Sequence, residues 1–159
     1  MMDRMRVSTS RFIAALSLAL FAASLPIHAV EMVYAPSGRI SEVDDGWVLL
    51  TMGWAGAFVG SVAWFANPAL IVGLMLLALK QTVPARWLLT GAWLVGLSAV
   101  IQMVVPFTGD EGGVSRKLLQ PLLGYYLWTG SLTIAVVGAW FQTADAQQPD
   151  TEHPPPAQR

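Results

Sequence analysis

Few residues of this chain belong to the types that perform chemistry. There is no cysteine, which excludes disulfide bonds, thiolate metal sites and lipid anchors on cysteine. The serines have no histidine or lysine at useful range, and no glycine-rich phosphate-binding loop is present. The sequence therefore predicts no catalytic residue, no cofactor and no enzyme activity.

The remaining candidates for metal binding are two histidines and two acidic pairs. His28 and His153 fall on opposite sides of the membrane in the topology argued below, so they do not form a joint metal or haem site. Asp44-Asp45 and Asp110-Glu111 lie in predicted outer loops, where a weak cation site competes with the commoner interpretation of solvated acidic residues. We predict no metal site.

The Asn67-Pro68 pair breaks the long apolar stretch between Asp45 and Lys80. A proline inside a helix removes one hydrogen bond and frees the carbonyl four residues earlier, here that of Trp64. Alternatively, Asn67 caps a new helix whose first residue is Pro68. Broken helices bind substrate in some transporters, whereas an isolated proline elsewhere only kinks a helix. Both interpretations place a break at this position.

Polar residues interrupt the apolar runs at a few positions, namely Asn67, Ser98, Gln102, Gln120 and Thr129. A buried amide needs hydrogen-bond partners, so we expect Asn67 to bond with Ser98, Thr129 or the freed carbonyl of Trp64. No charged residue or histidine lies inside the last three apolar runs, which disfavours an ion-coupled transporter.

Composition defines the class of protein. The 159 residues are 55% hydrophobic and 12% charged, with a mean hydropathy of +0.55 and a net charge of −1. Soluble domains carry about 25% charged residues, and nothing in the charge suggests nucleic acid as a partner. The pattern predicts an all-α integral membrane bundle of about four transmembrane helices within a single domain, 1–141, one helix being kinked at Asn67-Pro68. The predicted segments are helices 12–30, 57–80, 87–107 and 118–141, an interfacial or re-entrant segment 47–56, an irregular loop 27–46, and a disordered cytoplasmic tail 142–159.

The N-terminal segment has two interpretations. Arg4, Arg6 and Arg11 precede an apolar run, which fits a signal peptide cleaved after Ala29. Extended to Val30, the same run is long enough for a retained membrane helix, which we favour.

Small residues recur at helical spacing in three places. Gly53, Gly56, Gly60 and Ala63 form one predicted helix-packing stripe, with Gly56-x-x-x-Gly60 as its best-formed pair. In the third apolar run, Gly91, Val95, Ser98 and Gln102 share one face, and Ala92, Gly96 and Ala99 share the adjoining one. The last run carries Gly124, Trp128, Ser131, Ala135 and Gly138 at helical spacing.

The distribution of positive charge predicts the topology. If 47–80 crosses the membrane once, six lysines and arginines lie inside and three outside, whereas two crossings give five and four. The positive-inside rule favours a single crossing, with both termini and the turn at Lys80–Arg86 in the cytoplasm. Trp87 and Trp140 then lie at the inner interface.

The signature Gly46-Trp47, Gly53-Trp54 and Ala63-Trp64-Phe65-Ala66-Asn67-Pro68 resembles that of small multi-pass membrane proteins of bacteria with no known function. This resemblance implies a bacterial inner membrane and nothing about activity. The leading hypothesis is a non-enzymatic structural or accessory subunit that packs against itself or a larger membrane complex. The alternative is a small channel or transporter with a polar path at Asn67-Pro68.

Overall fold

The computed structural model describes most of the chain between Met2 and Ala146. The described residues are 2–35, 39–59, 62–101, 107–108 and 115–146, of which 2–11, 32–35, 39–42, 59, 107–108, 115–120 and 143–146 are described by their backbone alone. The α-helices are α1 (Met2–Ser24), α2 (Gly46–Met52), α3 (Ala66–Ala78), α4 (Thr82–Leu97) and α5 (Leu123–Ala146). The strands are β1 (His28–Ala35), β2 (Arg39–Asp45), β3 (Phe107–Thr108) and β4 (Ser115–Pro121). Short 3₁₀ helices occupy Gly53–Val59, Ala63–Phe65 and Ser98–Val100.

The four longer helices form an antiparallel bundle. α1 packs against α5, α5 against α4, and α4 against α3. The helix directions follow from the pairs in contact, since Ile13 meets Gly138 near one end of the α1–α5 pair and Ser17 meets Ser131 one turn further along. A tight turn at Leu79–Gln81 joins α3 to α4, as expected for antiparallel neighbours.

A four-stranded antiparallel sheet lies at one end of the bundle, in the strand order β2-β1-β4-β3. α1 ends just before β1, and α5 begins just after β4, where the Leu122 amide donates to the Ala29 carbonyl over 2.9 Å. The sheet differs from the predicted irregular loop 27–46 and from a purely helical chain. Extended backbone there needs hydrogen-bond partners, and β1 obtains them from both β2 and β4.

The helix limits differ from the predicted ones for identifiable reasons. α1 ends at Ser24 rather than at residue 30, because Pro26 disfavours helical backbone just before it. α5 begins at Leu123 rather than at residue 118, since Ser115–Pro121 pairs with β1. α4 begins at Thr82 and accommodates Pro84 in its first turn, where no backbone hydrogen bond is lost.

The structure also differs from the predicted continuous helix 57–80 and from the predicted tail 142–159. The first part of 57–80 is 3₁₀ helix, and regular α-helix begins only at Ala66. Pro68 therefore lies in the first turn of α3 and does not kink a longer helix. A new helix does start near the break, but its N-cap is Phe65 without a side-chain hydrogen bond, so the prediction that Asn67 is the cap and Pro68 the first residue is wrong. α5 continues to Ala146, so the predicted tail 142–159 begins inside a helix; residues 147–159 lie outside the described part of the chain.

The bundle is mostly helical, which confirms the helical part of the predicted fold. Among the described residues, one helix, Thr82–Val100, is long and apolar enough to cross a membrane. Its mean hydropathy is 1.3, and only 22% of it is buried inside the protein. Shorter apolar helices occupy Phe12–Ser24, Gly46–Phe58 and Ala63–Ala78.

Candidate functional site

A cavity of about 140 Å³ lies where the helix bundle meets the sheet. The end of α1, the starts of α3 and α5, and the segment that begins with α2 all contribute to its wall. Its aromatic lining residues are Phe21, Trp64, Tyr125 and Trp128, and its polar side chains include Asn67. No charged residue lines it among the described residues. This cavity is the candidate functional site.

Asn67 lies in the first turn of α3 and is 8% exposed. The indole Nε1–H of Trp128 donates to Asn67 Oδ1 over 2.7 Å. Because an indole nitrogen can only donate, this bond fixes the orientation of the amide, with the Asn67 oxygen toward Trp128. The Asn67 Nδ2 group has no hydrogen-bond acceptor among the described residues.

Trp64 connects the segment around α2 to the start of α3. Its Nε1–H donates to the Leu50 carbonyl over 2.7 Å. Gly53 allows this contact, since an added Cβ would lie 2.7 Å from Cδ1 of the Trp64 ring. The indole donors of Trp64 and Trp128 are therefore both used within the protein.

Tyr125 forms part of the cavity wall at the start of α5 and is 8% exposed. Its hydroxyl is buried and has no hydrogen-bond partner among the described residues. The ring contacts Trp128, with centroids 5.8 Å apart, and Tyr126, with centroids 6.0 Å apart. A buried hydroxyl without a hydrogen-bond partner lowers the stability of the folded protein, because it has lost its hydrogen bonds to water.

Two glycines allow the backbone segments around the cavity to approach closely. A Cβ at Gly46 would overlap the Ser24 carbonyl oxygen at the end of α1. At Gly124 a Cβ would lie 2.7 Å from the Ile27 carbonyl oxygen. The cavity end of the bundle therefore depends on backbone-to-backbone contacts between distant parts of the chain.

Two of the three predicted hydrogen-bond partners of Asn67, Ser98 and Thr129, are bonded elsewhere. Ser98 Oγ donates to the Val95 carbonyl, 2.6 Å away in its own chain segment, and Thr129 Oγ1 donates to the Tyr125 carbonyl over 3.0 Å. Both hydroxyls thus donate hydrogen bonds to carbonyls three or four residues earlier in the chain, as serine and threonine commonly do in helices. Gln120 lies in β4 opposite Glu31 and not in a helix, and Gln102 falls outside the described residues.

The predicted packing stripe also needs correction. Gly53 and Gly56 lie in a 3₁₀ helix, whose period of three residues breaks the expected α-helical stripe. Gly60 lies outside the described residues, so the Gly56–Gly60 pair has no described geometry. Ala63 is buried, but it lines the cavity at the start of a separate 3₁₀ turn.

The glycines that bring helices together are Gly73, Gly96 and Gly138, one at each contact of the bundle. A Cβ at Gly73 would overlap Leu89, one at Gly96 would lie 2.9 Å from Leu132 Cδ1, and one at Gly138 would overlap Ile13. The sequence pattern had placed two of them, Gly96 and Gly138, on small-residue faces. On α4 the packed face is the one with Ala92 and Gly96; Gly91, on the adjoining face, is exposed.

The histidine and acidic residues at the sheet do not build a metal site. His28 Nδ1 lies 2.5 Å from Asp45 Oδ1, in a hydrogen-bonded pair in which the histidine side chain is mostly exposed. No group of three potential metal ligands occurs within the described residues. Asp110-Glu111 lies outside them.

The chain matches no known protein-family model, no curated protein and no solved structure. The cavity can therefore be interpreted only from its own residues. It offers an apolar volume with an aromatic lining and no charged side chain among the described residues.

Proposed function

We propose that this chain is a non-enzymatic, multi-pass protein of a bacterial inner membrane, acting as a structural or accessory subunit. The observation that carries the proposal is the distribution of side chains across the bundle. Small residues lie with buried leucines where the helices meet inside the bundle, and large apolar residues also cover its outer surface. Water would disfavour such a surface, whereas lipid is the solvent that suits it.

The interior of the bundle is packed with residues that let helices approach closely. Fully buried small residues include Ala66, Ala85, Ala135 and Ala139. Ser17 Oγ on α1 donates to the Ser131 carbonyl on α5 over 2.9 Å, and both residues are completely buried. Hydrogen bonds and small side chains are the usual means of association between helices in lipid. The contacts of α1 also support a retained N-terminal helix over a cleaved signal peptide.

The outer surface of the same helices is apolar and exposed. The exposed large side chains on or beside the four helices are Phe12, Leu16, Leu18, Ile71, Val72, Met75, Leu79, Val83, Trp87, Leu94, Val137, Trp140 and Phe141. They surround the bundle instead of forming one patch. A single docking surface on a soluble protein does not account for that distribution.

The lengths of the helices match a membrane in part. α1 and α5 contain 23 and 24 residues, so each extends for about 35 Å, against a hydrocarbon thickness of about 30 Å, but the apolar part of α1 is Phe12–Ser24 alone. α3 contains 13 residues and extends for about 20 Å. The 3₁₀ turn Ala63–Phe65 directly before α3 adds to that length.

The bundle order supports the predicted topology. The start of α1, the end of α5 and the Leu79–Gln81 turn all lie at the end of the bundle away from the sheet, so a membrane orientation places them on the same side. Arg86 lies over the rings of Trp140 and Trp87, at 4.4 and 5.3 Å from the centroids. Tryptophans with an arginine are typical of a membrane interface on the positively charged side. We assign this end to the cytoplasm and the sheet to the outer face.

The accessory role draws support from the segment that contains α2. Trp47, Met52, Trp54 and Phe58 are exposed there, Phe58 by 82%. These residues suit either the lipid interface or the surface of a larger membrane complex. A homo-oligomer is the other arrangement consistent with an exposed aromatic surface.

The cavity at Asn67 is the observation that favours a channel or transporter, but its surroundings favour the accessory role. Leu70, Leu89 and Leu132 are almost completely buried in the bundle core. They follow Asn67 toward the cytoplasmic end, and no charged side chain lines the cavity among the described residues. A cation path would need polar groups where these leucines lie.

Reporter fusions after Gln81 and after Gln142 test the membrane topology. We expect both fusions to be active only as cytoplasmic reporters. Activity of the Gln81 fusion outside the cytoplasm would overturn the assignment of four crossings. The matched variant replaces Lys80 and Arg86 with glutamine. It should reduce the preference of the Gln81 fusion for the cytoplasm without changing the helical content.

Purification in mild detergent tests the accessory role. We expect the wild-type protein to co-purify with a larger membrane partner or with itself, and the Trp54→Ala, Phe58→Ala variant to lose that partner. Ile71→Ala is the matched control, because it removes an exposed apolar side chain from the lipid-facing side of α3. A monomeric wild-type protein with no partner would contradict the proposal.

A further inference from the structure

The polar side chains of the cavity wall are hydrogen-bonded within the protein or turned away from the cavity. The Ser24 hydroxyl donates to a carbonyl of its own helix, and the Asn67 oxygen accepts from the Trp128 indole. The Trp64 indole donates to a backbone carbonyl. The Tyr125 hydroxyl has almost no accessible surface, so its oxygen does not face the cavity. The wall therefore favours a ligand without polar groups.

Backbone groups in the wall are paired as well. The carbonyls of Leu25 and Ala29 accept from the amides of Trp47 and Leu122, both over 2.9 Å. No charged side chain lines the cavity among the described residues. A buried water needs several polar partners, and an apolar cavity without them stays dry. An unfilled apolar cavity destabilises a fold, so a hydrocarbon group that fills this one should be held there.

The size and position of the cavity suit such a group. Its volume of about 140 Å³ is close to that of a cavity of roughly 150 Å³ that binds benzene in an engineered protein. Ala63 and Ala99 in the wall adjoin Val62 and Val100 along the chain, and both valines are exposed. The wall is therefore continuous along the chain with an apolar outer surface, from which a hydrocarbon can approach.

We propose that this cavity binds an uncharged hydrocarbon group of about six carbon atoms, either a small free molecule or the end of a lipid acyl chain. Both present the same chemistry to the wall, namely C–H groups in contact with leucine side chains and aromatic rings. The proposal goes beyond the accessory role and does not depend on it, because the cavity lies within a single chain.

Fluorine NMR of the full chain labelled with 5-fluorotryptophan tests the proposal, with benzene as the probe. Trp64 and Trp128 line the cavity, whereas Trp87 and Trp140 contact each other at the other end of the bundle and report benzene that only dissolves in the micelle. In cholate micelles, whose detergent has no alkyl chain, we expect saturating shifts of the Trp64 and Trp128 signals. The Trp87 and Trp140 signals should not saturate. Benzoate should cause no saturating shift, because its charge would lose its hydration in the cavity.

Ala99→Leu adds an isopropyl group to the wall and should abolish the saturating shifts. Ala78→Leu is the matched control, since Ala78 is exposed at the end of α3 and does not line the cavity. Leu49→Ala enlarges the cavity, so it should keep the shifts and bind propylbenzene more tightly than the wild type does. That comparison remains informative if Ala99→Leu does not fold, which circular dichroism shows.

A phospholipid with a spin label at the end of its acyl chain distinguishes the two sources. If an acyl chain enters the cavity, the label in nanodiscs should broaden the Trp64 and Trp128 signals more in the wild type than in Ala99→Leu. Equal broadening in the two proteins would assign the cavity to a small free hydrocarbon.

Three results would overturn the proposal. Benzene shifts that saturate at none of the four tryptophans would mean that the cavity holds no hydrocarbon. Unchanged saturation in folded Ala99→Leu would place the ligand elsewhere, and equal binding of benzoate and benzene would contradict an apolar site. None of these results affects the reporter fusions, so failure of the ligand proposal is distinguishable from failure of the membrane topology.

Discussion

The indole of Trp128 donates to the side-chain oxygen of Asn67 over 2.7 Å, joining α5 to the first turn of α3. These two helices make few other contacts, because α4 lies between them for most of their length. The bond therefore fixes the start of α3 relative to α5. It also fixes which end of the Asn67 amide is the oxygen.

Trp128→Phe should destabilise the bundle by about 1–3 kcal/mol, because it leaves the buried Asn67 oxygen without a donor. Adding Asn67→Leu should recover most of that loss, since both partners are then apolar. The free energy of unfolding in detergent micelles measures both effects.

Trp54→Phe is the control for that cycle, since the Trp54 ring is about half exposed and contacts Phe58 edge-on. It should change the free energy of unfolding by less than about 0.5 kcal/mol. Additive losses in the Trp128 and Asn67 double variant would show that the hydrogen bond contributes no coupling.

Gly138→Ala should destabilise the contact between α1 and α5 by about 1–3 kcal/mol, because the added methyl group overlaps Ile13. Ile13→Ala in the same chain should relieve the overlap and restore part of the stability. Thermal unfolding followed by circular dichroism measures the difference.

Gly130→Ala is the matched control on the same helix, since a Cβ there has nothing within 4 Å. It should stabilise α5 by up to about 1 kcal/mol through the higher helix propensity of alanine. Equal effects of the two substitutions would refute the close approach at Gly138.

Ser17→Ala should weaken the bundle by about 0.5–1.5 kcal/mol, because it removes the hydrogen bond from α1 to the Ser131 carbonyl of α5. Ser24→Ala is the comparison, since Ser24 Oγ donates 2.6 Å away to the Phe21 carbonyl of its own helix. Cross-linking between α1 and α5 should decrease only for Ser17→Ala. A larger effect of Ser24→Ala on that cross-link would contradict the interhelical role of Ser17.

Lys80→Gly should stabilise the turn between α3 and α4. Lys80 has a φ of 61°, the left-handed conformation that favours glycine. The Gln81 amide donates to the Leu76 carbonyl over 2.9 Å and the Lys80 amide to the Leu77 carbonyl over 3.0 Å, which completes a Schellman motif. Relief of the left-handed strain should contribute about 1 kcal/mol to the free energy of unfolding.

Lys80→Ala separates that effect from the loss of charge, because alanine removes the ammonium group and keeps the strained backbone. It should leave the unfolding midpoint unchanged or lower it slightly. If alanine and glycine raise the midpoint equally, the charge of Lys80 and not its backbone conformation determines the effect.

The sequence alone determined the features that depend on local periodicity. Apolar runs with small residues three or four positions apart predicted helices, and the face with Ala92 and Gly96 on α4 is indeed buried. The break at Asn67-Pro68 was also local, because proline cannot donate a backbone hydrogen bond wherever it lies. The sequence left open whether the helix kinks or a new helix starts there, since both arrangements accommodate the missing N–H group of proline.

Tertiary structure decided the features that depend on which surfaces meet. β1 becomes a strand because β4, about 90 residues later in the chain, supplies hydrogen bonds along one edge. Asn67 bonds to Trp128, and not to Ser98 or Thr129, because those hydroxyls find carbonyls on their own helices first. The cavity and the unpaired Tyr125 hydroxyl follow from the way helix ends meet the sheet, and helical periodicity carries no information about that arrangement.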